Sequence, residues 1–330
     1  MTMGRAPARL VLLGTGGTIA STAGRASQLT DYAVTEGIEA MLAAVPGAEA
    51  LGAIRCEQVF NVDSRRFSTA RVLRLARRID TLLRDPAVDG VVVTHGTDTL
   101  EETAFFLHLT IRHPKPVVLV GAMRPGSALS ADGPLNLYNA LLVARDPLSR
   151  DCGILVVMND SILAARHIAK GHTTRVDAFR AEGPGTLGGI SDGTVRILQR
   201  PALPATAAFP LKGLRGLPAV DILYDHQDAG EHLYQAAIEA GAAGIVVAGL
   251  GNGSLSPAAI RGCARARRHG IQCVRASRVP HGEVTAKATD ARDGILASHG
   301  LNPQQARTLL RLALATGLDT DAIRTALKDA

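Results

Sequence analysis

The sequence of 330 residues contains no Trp, and Phe and Tyr raise the aromatic share only to 3%. Few rings are therefore available to stack on bases, which speaks against single-stranded nucleic acid as a partner. Positive charge is almost all Arg, because Lys stands only at positions 115, 170, 212, 287 and 328. The formal net charge is +6, yet Arg is dispersed and forms no basic run, so no nucleic-acid partner is expected. No apolar run reaches the roughly 18 residues of a membrane helix, and no membrane partner is expected. Residues 1–9 lack the apolar stretch of a signal peptide, and Leu10–Leu13 is too short to supply one. A cytoplasmic location is expected, or a periplasmic one for a chain whose leader had been removed. Cys56, Cys152, Cys263 and Cys273 show no C-x-x-C spacing, which argues against a zinc ribbon and against a dense disulfide framework. His167 and His172 are badly spaced to share a metal on one helical face.

What is present suits a globular chain, with 46% hydrophobic and 20% charged residues. Short apolar runs alternate with amphipathic stretches, the pattern of an α/β fold with a mainly parallel sheet flanked by helices. Leu10–Gly14, Gly90–Thr94, Val117–Gly121 and Gly153–Met158 read as buried strands. Thr69–Arg84, Asp98–Ile111 and Pro134–Arg145 read as helices, the first with a stripe through Val72, Leu75, Ala76, Ile79, Leu82 and Leu83. Pro201, Pro204, Pro210 and Pro218 then break the periodicity. The expected organisation is a larger N-terminal domain over 1–195, a linker over 196–218 and a smaller α/β domain over 219–330. In the last, strands Ala219–Tyr224, Gly244–Gly249 and Gln272–Ala276 alternate with helices Glu231–Ala240 and Pro257–His269. Helices Pro303–Thr316 and Thr320–Lys328 close the chain.

Ligands in such folds bind beyond the carboxyl ends of strands, where helix N-termini present free N–H groups. Gly14-Thr15-Gly16-Gly17-Thr18-Ile19-Ala20-Ser21 follows the first strand. It is not a dinucleotide loop, because Ile19 occupies the third Gly of G-x-G-x-x-G. Two readings stay open: a plain Gly turn with Thr caps, or a Thr15 hydroxyl presented as a nucleophile. Thr94-His95-Gly96-Thr97-Asp98-Thr99, followed by Glu101 and Glu102, reads either as a helix start capped by Thr97 or Asp98 or as a ligand loop. In the second reading Gly96 permits close approach and Asp98 suits a substrate ammonium. His95 reads as structural sooner than as a base. Asp132, ahead of Pro134, reads as a helix N-cap. Lys170 would be a plain solvated lysine unless it lies near a Thr hydroxyl, whose proton it can handle.

Together these segments resemble the bacterial-type L-asparaginases, a family that also includes glutaminase-asparaginases. The resemblance spans nearly the whole chain. Beyond the two threonine motifs it includes Gly121-Ala122-Met123-Arg124-Pro125, Val156-Val157-Met158-Asn159-Asp160, Gly251-Asn252-Gly253, Ser277-Arg278-Val279-Pro280 and Leu301-Asn302-Pro303-Gln304. It implies two α/β domains, a homotetramer, and hydrolysis of L-asparagine to L-aspartate and ammonia without metal or organic cofactor. Thr15 matches the nucleophile, and Tyr32 the lid tyrosine beside it, in a lid that is longer here. Thr97, Asp98 and Lys170 match the second threonine with its acid and lysine. Ser64 matches the serine that holds the substrate α-carboxylate, and Asp98 faces the α-amino group. Gly96, Thr97 and Ala122 are placed with the substrate, and Asn252 is lent across the site by a neighbouring subunit. An acyl-enzyme at Thr15, cleared by water with help from Thr97 and Lys170, is the expected course. Direct attack by water, with Thr15 positioning, is the alternative.

Two departures from the family bear on substrate choice. Arg65 replaces the usual Gln after Ser64, and its guanidinium would either grip the α-carboxylate or crowd the α-amino group. The loop after Pro280 is shorter, and Glu283 is no clear counterpart of the family's glutamate there. A glutaminase-asparaginase is therefore the runner-up. The asparaginase-like subunit of a tRNA-dependent amidotransferase would be expected to carry a further domain ahead of Thr15. A silent amino-acid-binding or nucleotide-binding member of the fold would have no reason to keep Thr15, Thr97, Asp98 and Lys170 together, and no phosphate loop occurs.

Overall fold

The computed structural model describes residues 8–181, 185–203 and 208–330. The chain divides into two units, Met1–Ala207 and Ala208–Ala330. In the first, β1 (Arg9–Gly16) leads through β2 (Ser21–Thr22), β3 (Ala33–Val34) and α1 (Ile38–Ala43) to β4 (Ala53–Val62) and α2 (Thr69–Arg84). Then come β5 (Gly90–Thr94), α3 (Leu100–Thr110), β6 (Val117–Val120), α4 (Gly133–Arg145) and β7 (Ile154–Met158). The unit ends with β8 (Ser161–Ala164), β9 (Ile168–Lys170), β10 (Phe179–Ala181), β11 (Thr186–Ser191) and β12 (Thr194–Ile197).

Among the described residues the main sheet runs in the order β12-β11-β8-β7-β6-β5-β1-β4. Strands β4, β1, β5, β6 and β7 are mutually parallel, and β8, β11 and β12 continue the sheet antiparallel. The mainly parallel α/β class expected for this half is what is found. Every residue of β5, β6 and β7 is buried, as continuous Val, Ile and Leu runs require when helices cover both faces. Helix α2 follows the expected span, starts on the Ser68 cap and buries Leu75, Ala76, Ile79, Leu82 and Leu83. Each such Leu or Ile contributes about 2 kcal/mol on leaving water. Edge strand β4 escaped the search for apolar runs because Arg55, Glu57 and Gln58 interrupt it and most of it stays accessible. Two ribbons stand apart from the main sheet, β2–β3 and β9–β10.

The segment 196–218 opens within β12, which runs to Ile197, and its residues 204–207 lie outside the described residues. The second unit holds β13 (Val220–Tyr224), α5 (His232–Glu239), β14 (Gly244–Gly249), α6 (Pro257–Arg268) and β15 (Gln272–Ser277). It closes with α7 (Ala288–Asp293), β16 (Ile295–Ala297), α8 (Pro303–Ala315) and α9 (Thr320–Asp329). Its four strands are parallel and in sequential order. Helix α8 begins with Pro303 inside a reciprocal Asn302–Gln305 capping box. Cys263 on α6 and Cys273 on β15 are free and buried, as structural cysteines are.

Candidate active site

The register of β1 against β4 breaks between Gly14 and Gly16, at Thr15. At this break the buried Thr15 hydroxyl donates to the Thr94 carbonyl on β5, 2.7 Å away. The chain then turns through Gly16 and Gly17 at φ of +95° and +88°, which side chains with a Cβ rarely adopt. Space forbids one as well. A Cβ on Gly17 would lie 2.2 Å from Gly96 Cα, and one on Gly96 would lie 2.7 Å from the Ser64 side chain. The two glycines thus let the Thr15 loop, the Ser64 turn and the Thr97 loop meet.

The Ser64 turn is held from two more directions. Thr99 Oγ1 donates to the Ser64 carbonyl at 3.1 Å, and the Phe67 ring lies 4.5 Å from the His95 imidazole. Thr99, at the N-cap of α3, therefore makes no side-chain cap. The helix begins at Leu100, later than the sequence suggests, and neither Thr97 nor Asp98 caps it. Both of those residues are bound to Lys170 instead. Lys170 Nζ donates to Thr97 Oγ1 at 3.0 Å and to Asp98 Oδ1 at 2.6 Å. Lys170 reaches them from β9, in a ribbon that no apolar run announces.

His95 is fully buried. Its Nδ1 lies 2.8 Å from the Gly96 carbonyl, which can only accept, so Nδ1 carries the hydrogen and Nε2 accepts from Thr103 Oγ1 at 3.0 Å. Burial holds its pKa down, at about 4. It is a neutral structural group, in line with the blander sequence reading. Asp132 corrects the sequence reading. It occupies the N-cap position of α4 without capping it, because its carboxylate accepts the Met123 and Arg124 N–H groups, each at 2.9 Å. Asn136 adds a bond to the Gly121 carbonyl at 3.1 Å. The loop with the fully buried Ala122 is thereby fixed.

The description "Asparaginase, N-terminal" matches residues 9–203, and "Glutaminase/Asparaginase C-terminal domain" matches 219–327. L-asparaginase 2 of Bacillus subtilis is 46% identical over 95% of this chain and 84% of its own. The chain belongs to the asparaginase family. A glutaminase-asparaginase of Pseudomonas fluorescens is 39% identical over 96% of this chain and 89% of its own. The crystal structure of a probable cytoplasmic L-asparaginase from Campylobacter jejuni superposes with a TM-score of 0.95 at 42% identity, covering 98% of this chain and 100% of that one.

Within this asparaginase-family chain, the other residues singled out in the sequence have partners of their own. Tyr32 shares a hydrogen bond of 2.9 Å with Thr18, three positions past Thr15. Arg65 makes two bonds to its neighbour Asp63, at 3.0 and 2.7 Å, and its side chain is 76% exposed. That pairing holds the Asp63 carboxyl below the usual range. Asn252, in the second unit, exchanges two bonds with Thr285, at 3.0 and 2.8 Å. The buried Arg275 steadies the same loop through the carbonyls of Asn252 and Thr285 and a bidentate pair with Asp290. Sequence reasoning missed Asp132's clamp, Arg275 and the Arg65–Asp63 pair. For the last a signal existed, since an Asp two residues before an Arg at a turn can bond both its backbone and its side chain.

Proposed function

We propose that the chain hydrolyses the side-chain amide of L-asparagine to L-aspartate and ammonia, with Thr15 as the nucleophile. The observation that carries this is the pair of bonds from Lys170 to Thr97 and Asp98, one loop away from a buried Thr15 hydroxyl that faces β5. A primary amide needs an activated hydroxyl and a proton for its leaving group. Thr15 Oγ1 bonds to the amide carbon as its proton passes to the Thr97–Lys170–Asp98 set. The C–N bond breaks, and ammonia leaves with a returned proton. Water then adds to the Thr15 ester, freeing L-aspartate and restoring the hydroxyl. Ser64 and Asp98 hold the α-carboxylate and α-ammonium, with Gly96 and Ala122 shaping the floor and Tyr32 in the lid. The fold carries no step by itself.

Membership of the family and the name of the Bacillus subtilis relative support asparaginase chemistry. The second reading, activity on L-glutamine as well, is favoured by the Pseudomonas fluorescens relative. Assembly as a homotetramer, with Asn252 lent to a neighbour's site, belongs to the same proposal. So does a cytoplasmic location, supported by the name of the Campylobacter jejuni neighbour and by four unpaired cysteines. Ammonia release from L-Asn and L-Gln, measured in parallel for the wild type and Thr15→Ala, tests the reading. Release from L-Asn that falls roughly 1,000-fold or more in the variant supports it. Folded wild type that releases ammonia from neither amide refutes it.

A further inference from the structure

Lys170 is gripped at both ends. Its ammonium meets Asp98, and its backbone N–H donates to Glu101 Oε2 at 2.7 Å. The second bond is not an accident of the ribbon. Strand β9 pairs with β10 antiparallel, with Lys170 opposite Phe179. The next pair is hydrogen-bonded, Gly171 N–H to the Ala178 carbonyl at 2.7 Å. Antiparallel ladders alternate, so the Lys170 N–H points away from β10 and has no ladder partner. Glu101 supplies one. It stands in the first turn of α3, a turn beyond Asp98, and is only 7% exposed. Burial pushes its carboxyl upward from the usual range, with Glu102 adding to the push and the bond from the Lys170 N–H opposing it.

The ribbon β9–β10 is separate from the main sheet, and the Glu101 carboxyl is a direct tie between the Lys170 main chain and α3. We infer that Glu101 is a positioning residue for Lys170, anchoring its main chain to α3 so that its ammonium stays on Thr97 and Asp98. The inference rests on the proposed role of Lys170 in proton transfer. Asp98 and Glu101 then act as a two-point clamp from one helix start. One end orients the ammonium and the other fixes the strand from which it grows.

The test is a double-mutant cycle on kcat for L-Asn, with Glu101→Met, Lys170→Met and the double variant. Glu101→Met is expected to lower kcat roughly 10- to 100-fold, as a displacement of about 1 Å at a reacting group does, with KM changed by less than about threefold. In the Lys170→Met background the same change should cost less than about twofold in kcat. Glu101→Gln, which keeps an acceptor oxygen at the same reach, should restore kcat to within about threefold of wild type. Should Glu101→Met give no soluble enzyme, Glu101→Asp, one methylene short of the N–H, carries the same cycle. Equal losses in the two backgrounds, or wild-type kcat for Glu101→Met, overturn the inference and leave the role of Lys170 standing. Wild-type kcat for Lys170→Met takes down that role, and this inference with it.

Discussion

Thr15 donates its hydroxyl to the main-chain carbonyl of Thr94, 2.7 Å away on the adjacent strand. That bond aims the proton into the sheet and fixes where the oxygen stands before any substrate arrives. It also separates what the hydroxyl does for chemistry from what it does for the fold. The two strands are already joined along Leu10–Gly14 and Gly90–Thr94, so one side-chain bond is a small part of their pairing.

Thr15→Val keeps the branched shape and removes the oxygen. Ammonia release from L-Asn should fall roughly 1,000-fold or more, while the loss of one buried hydrogen bond costs about 1 kcal/mol. A steady-state assay beside a thermal melt checks both halves. Near-normal activity with an unchanged melt would exclude Thr15 as nucleophile and favour direct attack by water.

Gly96→Ala places a Cβ 2.7 Å from both Cβ and Oγ of Ser64, a short side chain with no flexible end to yield. Overpacking of this kind costs about 1–3 kcal/mol. Because the clash falls on the residue assigned to the α-carboxylate, KM for L-Asn should rise about tenfold or more. Initial-rate curves over a wide substrate range would show it.

Acid should weaken the fold through His95. Its pKa in the folded chain is about 4, held there by burial, against an ordinary value of 6.5. A depressed histidine binds fewer protons folded than unfolded between those values, so stability is full above about pH 6.5 and declines as pH falls towards 4. The slope is about 1.4 kcal/mol per pH unit for this one group. His108 is lowered to about 4 as well and acts in the same sense. Urea midpoints for the wild type and His95→Gln, taken between pH 4.5 and 7.5, should show a shallower pH dependence in the variant.

Arg65→Gln should leave KM for L-Asn within about threefold of wild type, because the guanidinium is engaged by Asp63 and largely exposed. The clearer change should be at Asp63, whose carboxyl loses the partner that lowers it and titrates at higher pH. A carboxyl NMR titration reads this directly. A tenfold change in KM would mean that Arg65 leaves Asp63 to hold substrate.

Much of this was legible in the sequence because the features involved are local. Strand β5 was found whole at Gly90–Thr94 and α2 at Thr69–Arg84, since a buried apolar run and a helical stripe each carry their own period. The Thr15 and Thr97 loops were legible through their glycines. What the residues by themselves left open depends on contacts across the chain, and only the family resemblance set Lys170 beside Thr97 and Asp98. Lys170 lies in a three-residue strand, too short for any period, and its partners are more than 70 residues earlier. Asp132 looked like a cap because it precedes Pro134, and only the returning backbone of Met123 and Arg124 shows what else competes for its carboxylate.

The place of β1 between β4 and β5 has a consequence during synthesis. Leu10 pairs with Ile54 on one side and with Gly90 on the other, so both neighbours are made after it. At about 5–20 residues per second, roughly 4–16 s pass between translation of Thr15 and of Thr94. Until β4 is made the apolar Leu10–Leu13 segment has no partner strand. Until β5 is made it has a partner on one side only, with the other edge open to chaperones or to other nascent chains. The strand that carries Thr15 is thus a point of vulnerability at the ribosome before it is part of an enzyme.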